Sequence, residues 1–166
     1  MDMLQAIPLT LNLANAGAVA GTTDTFTTTA ATVSVSKGKF VTAIGVLTNS
    51  ATTPTTDYNT GSAFPAILPN TCAAVVFGNV GGSLKAVQCT AVATETGVTT
   101  TVGNFINAPQ FPAIPDGFVP FAYTVIRAAP SLTAGFTLGT TSWAASGASC
   151  TTFQNVCTLP DRPQIS

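Results

Sequence analysis

The chain has 166 residues, enough for one ordinary domain. Apolar residues make up 46% and charged residues 7%, with a mean hydropathy of +0.44, whereas a typical soluble domain is about a quarter charged. There is no histidine, so the commonest general base and the commonest transition-metal ligand are both missing. The five bases, Lys37, Lys39, Lys85, Arg127 and Arg162, are too few for the phosphate-neutralising patch that nucleic acids require. Disordered chains are apolar-poor and charge-rich, the reverse of this one. No stretch of about 20 residues is free of polar, Gly or Pro positions, which argues against a membrane-spanning helix. The first basic residue is Lys37 and Asp2 is acidic, so the N-terminus does not read as an export signal.

In chain order, residues 7–13 alternate apolar and polar and predict a half-buried strand with Ile7, Leu9, Leu11 and Leu13 facing inward. Residues 15–24 are Gly- and Ala-rich and read as a hinge. Residues 1–24 are therefore expected to form an extended N-terminal arm, either donated to a neighbour or folded back as an edge strand. Residues 25–166 then form a single β domain. Residues 25–36 are Thr-rich and β-prone, and Lys37-Gly38-Lys39 is a turn. The more continuously apolar residues 40–48 predict a central strand. Residues 49–71 hold Pro54, Pro65, Pro69 and Gly61 and read as one long loop, a length that usually marks function or an interaction surface.

A hairpin follows. Residues 72–78 run out, Asn79-Val80-Gly81-Gly82 turns, and 84–93 run back. Shorter strands are expected near 98–106, 118–127, 134–142 and 151–158. No window carries a capped helical period. Strand signals every 10–20 residues fit an all-β fold, an antiparallel β-sandwich or barrel.

The four cysteines lack zinc spacing, and no histidine can complete a site. A turn centred on Val80-Gly81 sets Cys72 opposite Cys89, at the short end of disulfide geometry. Two readings stay open: a cross-strand disulfide, or two small buried thiols, since one bulge would break that register. Cys150 and Cys157 could face each other in the same way, but Phe153-Gln154 is poor turn chemistry.

Catalytic apparatus is sparse. Asp2, Asp24, Asp57, Glu95, Asp116 and Asp161 are isolated in sequence, so a carboxylate pair would need distant residues to converge. A nucleophilic serine could find only Lys37, Lys39 or Lys85 as a base. Gly81-Gly82 lacks phosphate-loop spacing and is a turn. Phe105, Phe111, Phe118, Phe121 and Tyr123 cluster around a Pro-rich stretch and read either as a sugar-stacking platform or as packing. Trp143 reads as a core or interface anchor, and Arg127 as half of a local ion pair. The expectation is a non-enzyme with no catalytic residue, no cofactor and no metal. Its charge-poor composition asks for self-association or docking.

The segments Pro69-Asn70-Thr71-Cys72-Ala73-Ala74-Val75-Val76-Phe77-Gly78, Lys85-Ala86-Val87-Gln88 and Ala108-Pro109-Gln110-Phe111-Pro112-Ala113-Ile114-Pro115-Asp116 carry a resemblance. So do Pro120-Phe121-Ala122-Tyr123-Thr124-Val125-Ile126-Arg127-Ala128 and Thr158-Leu159-Pro160-Asp161-Arg162-Pro163-Gln164. Over roughly residues 65–166 the chain resembles small structural proteins of tailed bacteriophages, the head decoration (cement) proteins. The resemblance implies a virion protein on the capsid surface, partnered by the major capsid protein and by its own copies, with a trimer favoured. Nucleic acid and membrane are not among the expected partners. The alternative expectation is a head-fibre, tail or adhesin-like module that binds host glycans through exposed aromatics.

Overall fold

In a computed structural model, residues 10–49, 54–150 and 152–157 are described. The fold is all-β, without helices among the described residues, and its paired strands form antiparallel sheets in a sandwich-like arrangement that does not close into a barrel. No helix among the described residues is long and apolar enough to cross a membrane.

The frame is two ten-residue strands, β6 (Thr71–Val80) and β9 (Val119–Ala128), paired along most of their length. The sequence TCAAVVFGNV is apolar without alternation, as a strand buried on both faces must be, and Cys72 to Asn79 are all buried. β7 (Ser83–Gln88) and β8 (Val92–Ala93) pair with β6. β10 (Ala148–Ser149) and β11 (Phe153–Asn155) both pair with β9, completing a six-stranded sheet. The β6–β9 register shifts between Phe77 and Gly78, and there the ring of Phe118 lies where a Cβ on Gly78 would stand, 2.2 Å away.

One face of this sheet is covered by Phe26, Phe136 and Trp143. Phe26 stacks on Phe77 at 4.6 Å between ring centroids and meets Phe121 and Phe153 edge-on. Trp143 packs against Phe136 and Phe153 and donates its indole N–H to Thr25 O at 2.7 Å, so it anchors the core. Val76, Val87, Ile114 and Phe118 form a smaller cluster.

Two small sheets precede the frame. β2 (Val19–Ala20) and β3 (Phe26–Thr27) make a short hairpin. β1 (Leu11–Asn12), β4 (Ser34–Ser36) and β5 (Lys39–Val41) make a three-stranded sheet with β4 central. Lys37 and Gly38 both have positive φ (49° and 77°), the turn that two-residue hairpins prefer.

Several expectations are corrected. The segment 40–48 is not a central strand: only its start is extended, and β5 ends the small sheet. No named strand forms over 98–106 or 134–142, where turns and isolated bridges such as Ile67↔Phe136 replace it. The Gly-rich stretch 15–24 is ordered on the body, since Ala16 and Ala18 are buried and Ala18 N–H donates to Asn155 Oδ1. Ile7 and Leu9 lie outside the described residues. The largest correction concerns facing: Asn12 is fully buried while Leu13 is 51% exposed, the reverse of the expected orientation.

That inversion has a visible cause. Asn79, fully buried near the end of β6, directs its amide Nδ2 at Thr32 Oγ1 (3.1 Å), Ser34 Oγ (3.3 Å) and Thr42 O (2.9 Å). Its Oδ1 accepts from Gly82 N–H at 2.9 Å. Ser34 Oγ donates to Asn12 Oδ1 at 2.9 Å, and the Asn12 amide donates to Ala14 O. These partners satisfy a buried polar layer between the two sheets, and strand alternation then turns Leu13 and Val33 outward. Asn79→Ala should destabilise by about 1–3 kcal/mol, because it takes the side-chain partner from Thr42 O and Gly82 N–H and one donor each from Thr32 and Ser34. Gly78→Ala should cost about the same through its clash with Phe118. Urea unfolding followed by Trp143 fluorescence measures both, and an unchanged midpoint for Asn79→Ala would refute the keystone role.

Candidate interaction surface and cleft

The hairpin turns on Gly81-Gly82, not on Val80-Gly81, because Val80 pairs with Ser83 and Asn79 with Leu84. That one-position slip would by itself set Cys72 opposite Ala91, and the extra residue where Cys89 leaves the ladder carries it to Val92, while its other neighbour is Arg127 on β9. Cys89 leaves the ladder beside Ala74: its N–H donates to Ala74 O and its Sγ accepts from Ala74 N–H, both at 3.0 Å. Cys72, Cys89, Cys150 and Cys157 are all free thiols, and only Cys157 is exposed. Burial pushes the Cys72 and Cys89 thiols upward, with each other's neighbourhood adding to the effect on Cys72. Burial alone raises Cys150 to about 12. Such thiols stay protonated and poorly nucleophilic.

Among the described residues Arg127 makes no ion pair. Its guanidinium lies 4.8 Å from the centroid of the Phe105 ring and donates to Gly103 O at 3.1 Å. The salt bridge found among the described residues joins Lys37 Nζ to Asp116 Oδ2 at 2.7 Å, with both side chains mostly in solvent. It ties the β4–β5 turn to the loop before β9.

The expected aromatic group is divided. Phe118 and Phe121 are buried, Phe105 sits under Arg127, and Phe111 meets Tyr123 edge-on at 4.8 Å. Phe111 lines a cleft of about 650 Å³ together with Asn59, Gln88, Asn107, Gln110 and Pro112. The cleft floor is organised by Asp57, which is 4% exposed. Its Oδ1 accepts from the N–H groups of Asn59 (2.7 Å) and Thr60 (3.2 Å), and its Oδ2 from Gln88 N–H (2.8 Å). This is an Asx turn closed by Gly61 at positive φ, a signal present in Asp57-Tyr58-Asn59-Thr60-Gly61 that the long-loop reading passed over. Both oxygens are committed to backbone donors, so Asp57 shapes the loop. Gln88 donates its amide to Pro65 O at 3.0 Å, and its buried Oε1 has no partner among the described residues. Glu95 pairs with Asn104 and Asp116 with Lys37, so Asp57, Glu95 and Asp116 are tied to three separate neighbourhoods. Among the described residues, no three His, Cys, Asp or Glu side chains come together as a metal site.

The other feature is the outer face of the three-stranded sheet. Leu11, Val35 and Phe40 stand in one cross-strand row, with Leu13 and Val33 beside them. Phe40 is 79% exposed and Val33 42%. In sequence this pattern is indistinguishable from an inward apolar face, so only the tertiary packing reveals it as a surface.

Comparison with known proteins adds no assignment: no family model, no curated protein and no solved structure matches this chain.

In the native protein a thiol reagent should label one cysteine, Cys157, and after unfolding all four. A thiol raised by folding holds its proton longer in the folded state. Its contribution is therefore complete below the unfolded pKa of 9.0 and fades as pH climbs toward about 12. Stability should be flat through neutral pH and decline above pH 9, with a shallower decline for Cys150→Ala. Two or more native thiols reacting rapidly would contradict this burial.

Proposed function

We propose that the chain is a virion structural protein, a capsid decoration (cement) protein that binds an icosahedral shell and its own copies, with the major capsid protein as partner. The observation that carries this reading is the folded surface. A sheet whose polar side is buried and whose apolar side is open, bearing Phe40 at 79% exposure, suits a chain that completes its fold against a neighbour. The same surface is nearly free of charge, as the cores of protein interfaces are. The all-β fold and the resemblance over roughly residues 65–166 agree with this role.

The mechanism is mechanical. Each copy covers modest apolar area, at roughly 25 cal/mol per Å², and many copies bridging adjacent shell subunits sum these contributions. A protein that binds only the assembled shell stabilises it by mass action. A trimer remains the favoured form of the copies.

The cleft supports a second reading, a head-fibre or tail module that binds a neutral glycan. Its amide side chains, Asn59, Asn107 and Gln110, can exchange hydrogen bonds with sugar hydroxyls, and Phe111 offers an apolar contact.

Quantitative mass spectrometry of purified virus particles from the source cells tests the first reading. Copies on the order of hundreds per particle, retained through a wash of about 1 M salt, are expected, because the contacts are apolar and escape screening. A few copies per particle, together with glycan binding lost in Phe111→Ala, would move the assignment to the second reading. Complete absence from particles would overturn both.

A further inference from the structure

We infer that the cleft beside Phe111 continues into a groove that takes an uncharged, linear polysaccharide along its length and turns acidic chains away. The inference rests on the reading of the cleft as a glycan site, and it names the class of glycan and two side chains that recognise it.

The cleft does not end at the Asp57 turn. A second hollow of about 390 Å³ lies against it, and Asp57, Thr60, Gln88, Cys89 and Thr90 line both. Asp57 and Cys89 are buried, whereas Thr60 and Thr90 are exposed. The two hollows thus share a floor, and the second runs on to Pro65, Ala66 and Ala91. The first alone, at about 650 Å³, has the volume of a site for a small-molecule ligand. Joined, the two exceed what a terminal sugar fills.

The polar groups along this groove are ones the fold does not use. The chain has nine asparagines, all among the described residues, and every one except Asn107 spends a side-chain atom on a hydrogen bond within the chain. Asn107 lines the cleft together with Gln110 and Thr90, whose side chains likewise have no hydrogen-bond partner among the described residues. Asn59 gives its Nδ2 to Ala113 O at 2.6 Å, and Thr60 Oγ1 accepts from Ser62 N–H at 3.2 Å. That leaves the Asn59 Oδ1 as an acceptor and the Thr60 O–H as a donor. Sugar hydroxyls both donate and accept, so they match this mixture of amides and hydroxyls. Phe111, packed edge-on against Tyr123, supplies the apolar contact for a C–H face of a sugar ring.

A peptide strand cannot add to the sheet here. The edge of β7 beside the groove is closed: Ala86 O accepts from Tyr58 N–H at 2.9 Å, and Gln88 N–H is held by Asp57 Oδ2 at 2.8 Å. Recognition therefore falls to side chains. Charge then selects among sugars. No Lys or Arg lines either hollow, and Asp57 places a carboxylate in the floor of both. An anionic sugar would give up its water shell and gain no cation, so the groove discriminates against it.

Titration calorimetry of the full chain tests this with dimers and hexamers of the neutral cello-, malto- and N-acetylchito-series, and with an oligogalacturonate hexamer as the acidic chain. At least one neutral series should bind, its hexamer about tenfold tighter than its dimer, because the longer chain reaches both hollows. The galacturonate should not bind. Asn107→Ala and Gln110→Ala should each weaken the hexamer about tenfold without moving the melting temperature, since their amides hold nothing in the fold. A hexamer no tighter than its dimer would overturn the groove and keep the glycan reading of the cleft. Galacturonate binding as tightly as the neutral chain would overturn the charge selection. Variants of Asn107 and Gln110 that leave the affinity unchanged, or that lower the melting temperature, would overturn their role in recognition. Binding of none of these sugars would overturn both this inference and the glycan reading, while the decoration reading, which copy number decides, would stand apart from that result.

Discussion

The fold turns on the buried amide of Asn79. It sits where the long β6 strand reaches the three-stranded sheet, and it bonds to Thr32, Ser34, Thr42 and Gly82 at once. A buried amide is costly unless its donors and acceptor are used, and here they are. This network sets the parity of β1 and β4. Strand alternation leaves no freedom after that: with Asn12 and Ser34 inside, Leu13 and Val33 must be outside. The exposed apolar face is thus a geometric consequence of a polar layer used to join two sheets.

The rest of the architecture is built more conventionally. β6 is buried on both faces, β9 is buried on one face and half-buried on the other beyond Ala122, and together they carry the aromatic core on one side, with Phe26 reaching in from the N-terminal region to stack on Phe77. Residues 10–27 are therefore part of the body. Asp57 gives the long loop a fixed shape by collecting three backbone N–H groups, and that loop walls the cleft. The protein presents a rigid polar cleft and an apolar sheet face, and no assembled catalytic group among the described residues.

In the proposed role both surfaces act through shape and desolvation. The near absence of charge removes long-range steering, so association is expected to be slow and insensitive to salt. The buried, raised thiols of Cys72, Cys89 and Cys150 behave as small core residues.

The all-β class, the β6–β7 hairpin and the β9 strand were legible in sequence, because continuous apolar runs bounded by Gly and Pro have few other solutions. The core role of Trp143 was legible as well. What sequence could not decide was parity and register. Leu11-Asn12-Leu13 and Val33-Ser34-Val35 alternate cleanly, but alternation does not say which face is inside. A polar partner 45 residues away from Ser34 decided it. Likewise, shifting the hairpin turn by one position to Gly81-Gly82 separated Cys72 from Cys89 in the ladder, since a turn's placement depends on what its flanking residue bonds to. Asn79 reads locally as an ordinary turn residue. Only the packed structure makes it the joint between sheets, because hydrogen-bond satisfaction in a buried layer is a property of the whole fold and not of any segment.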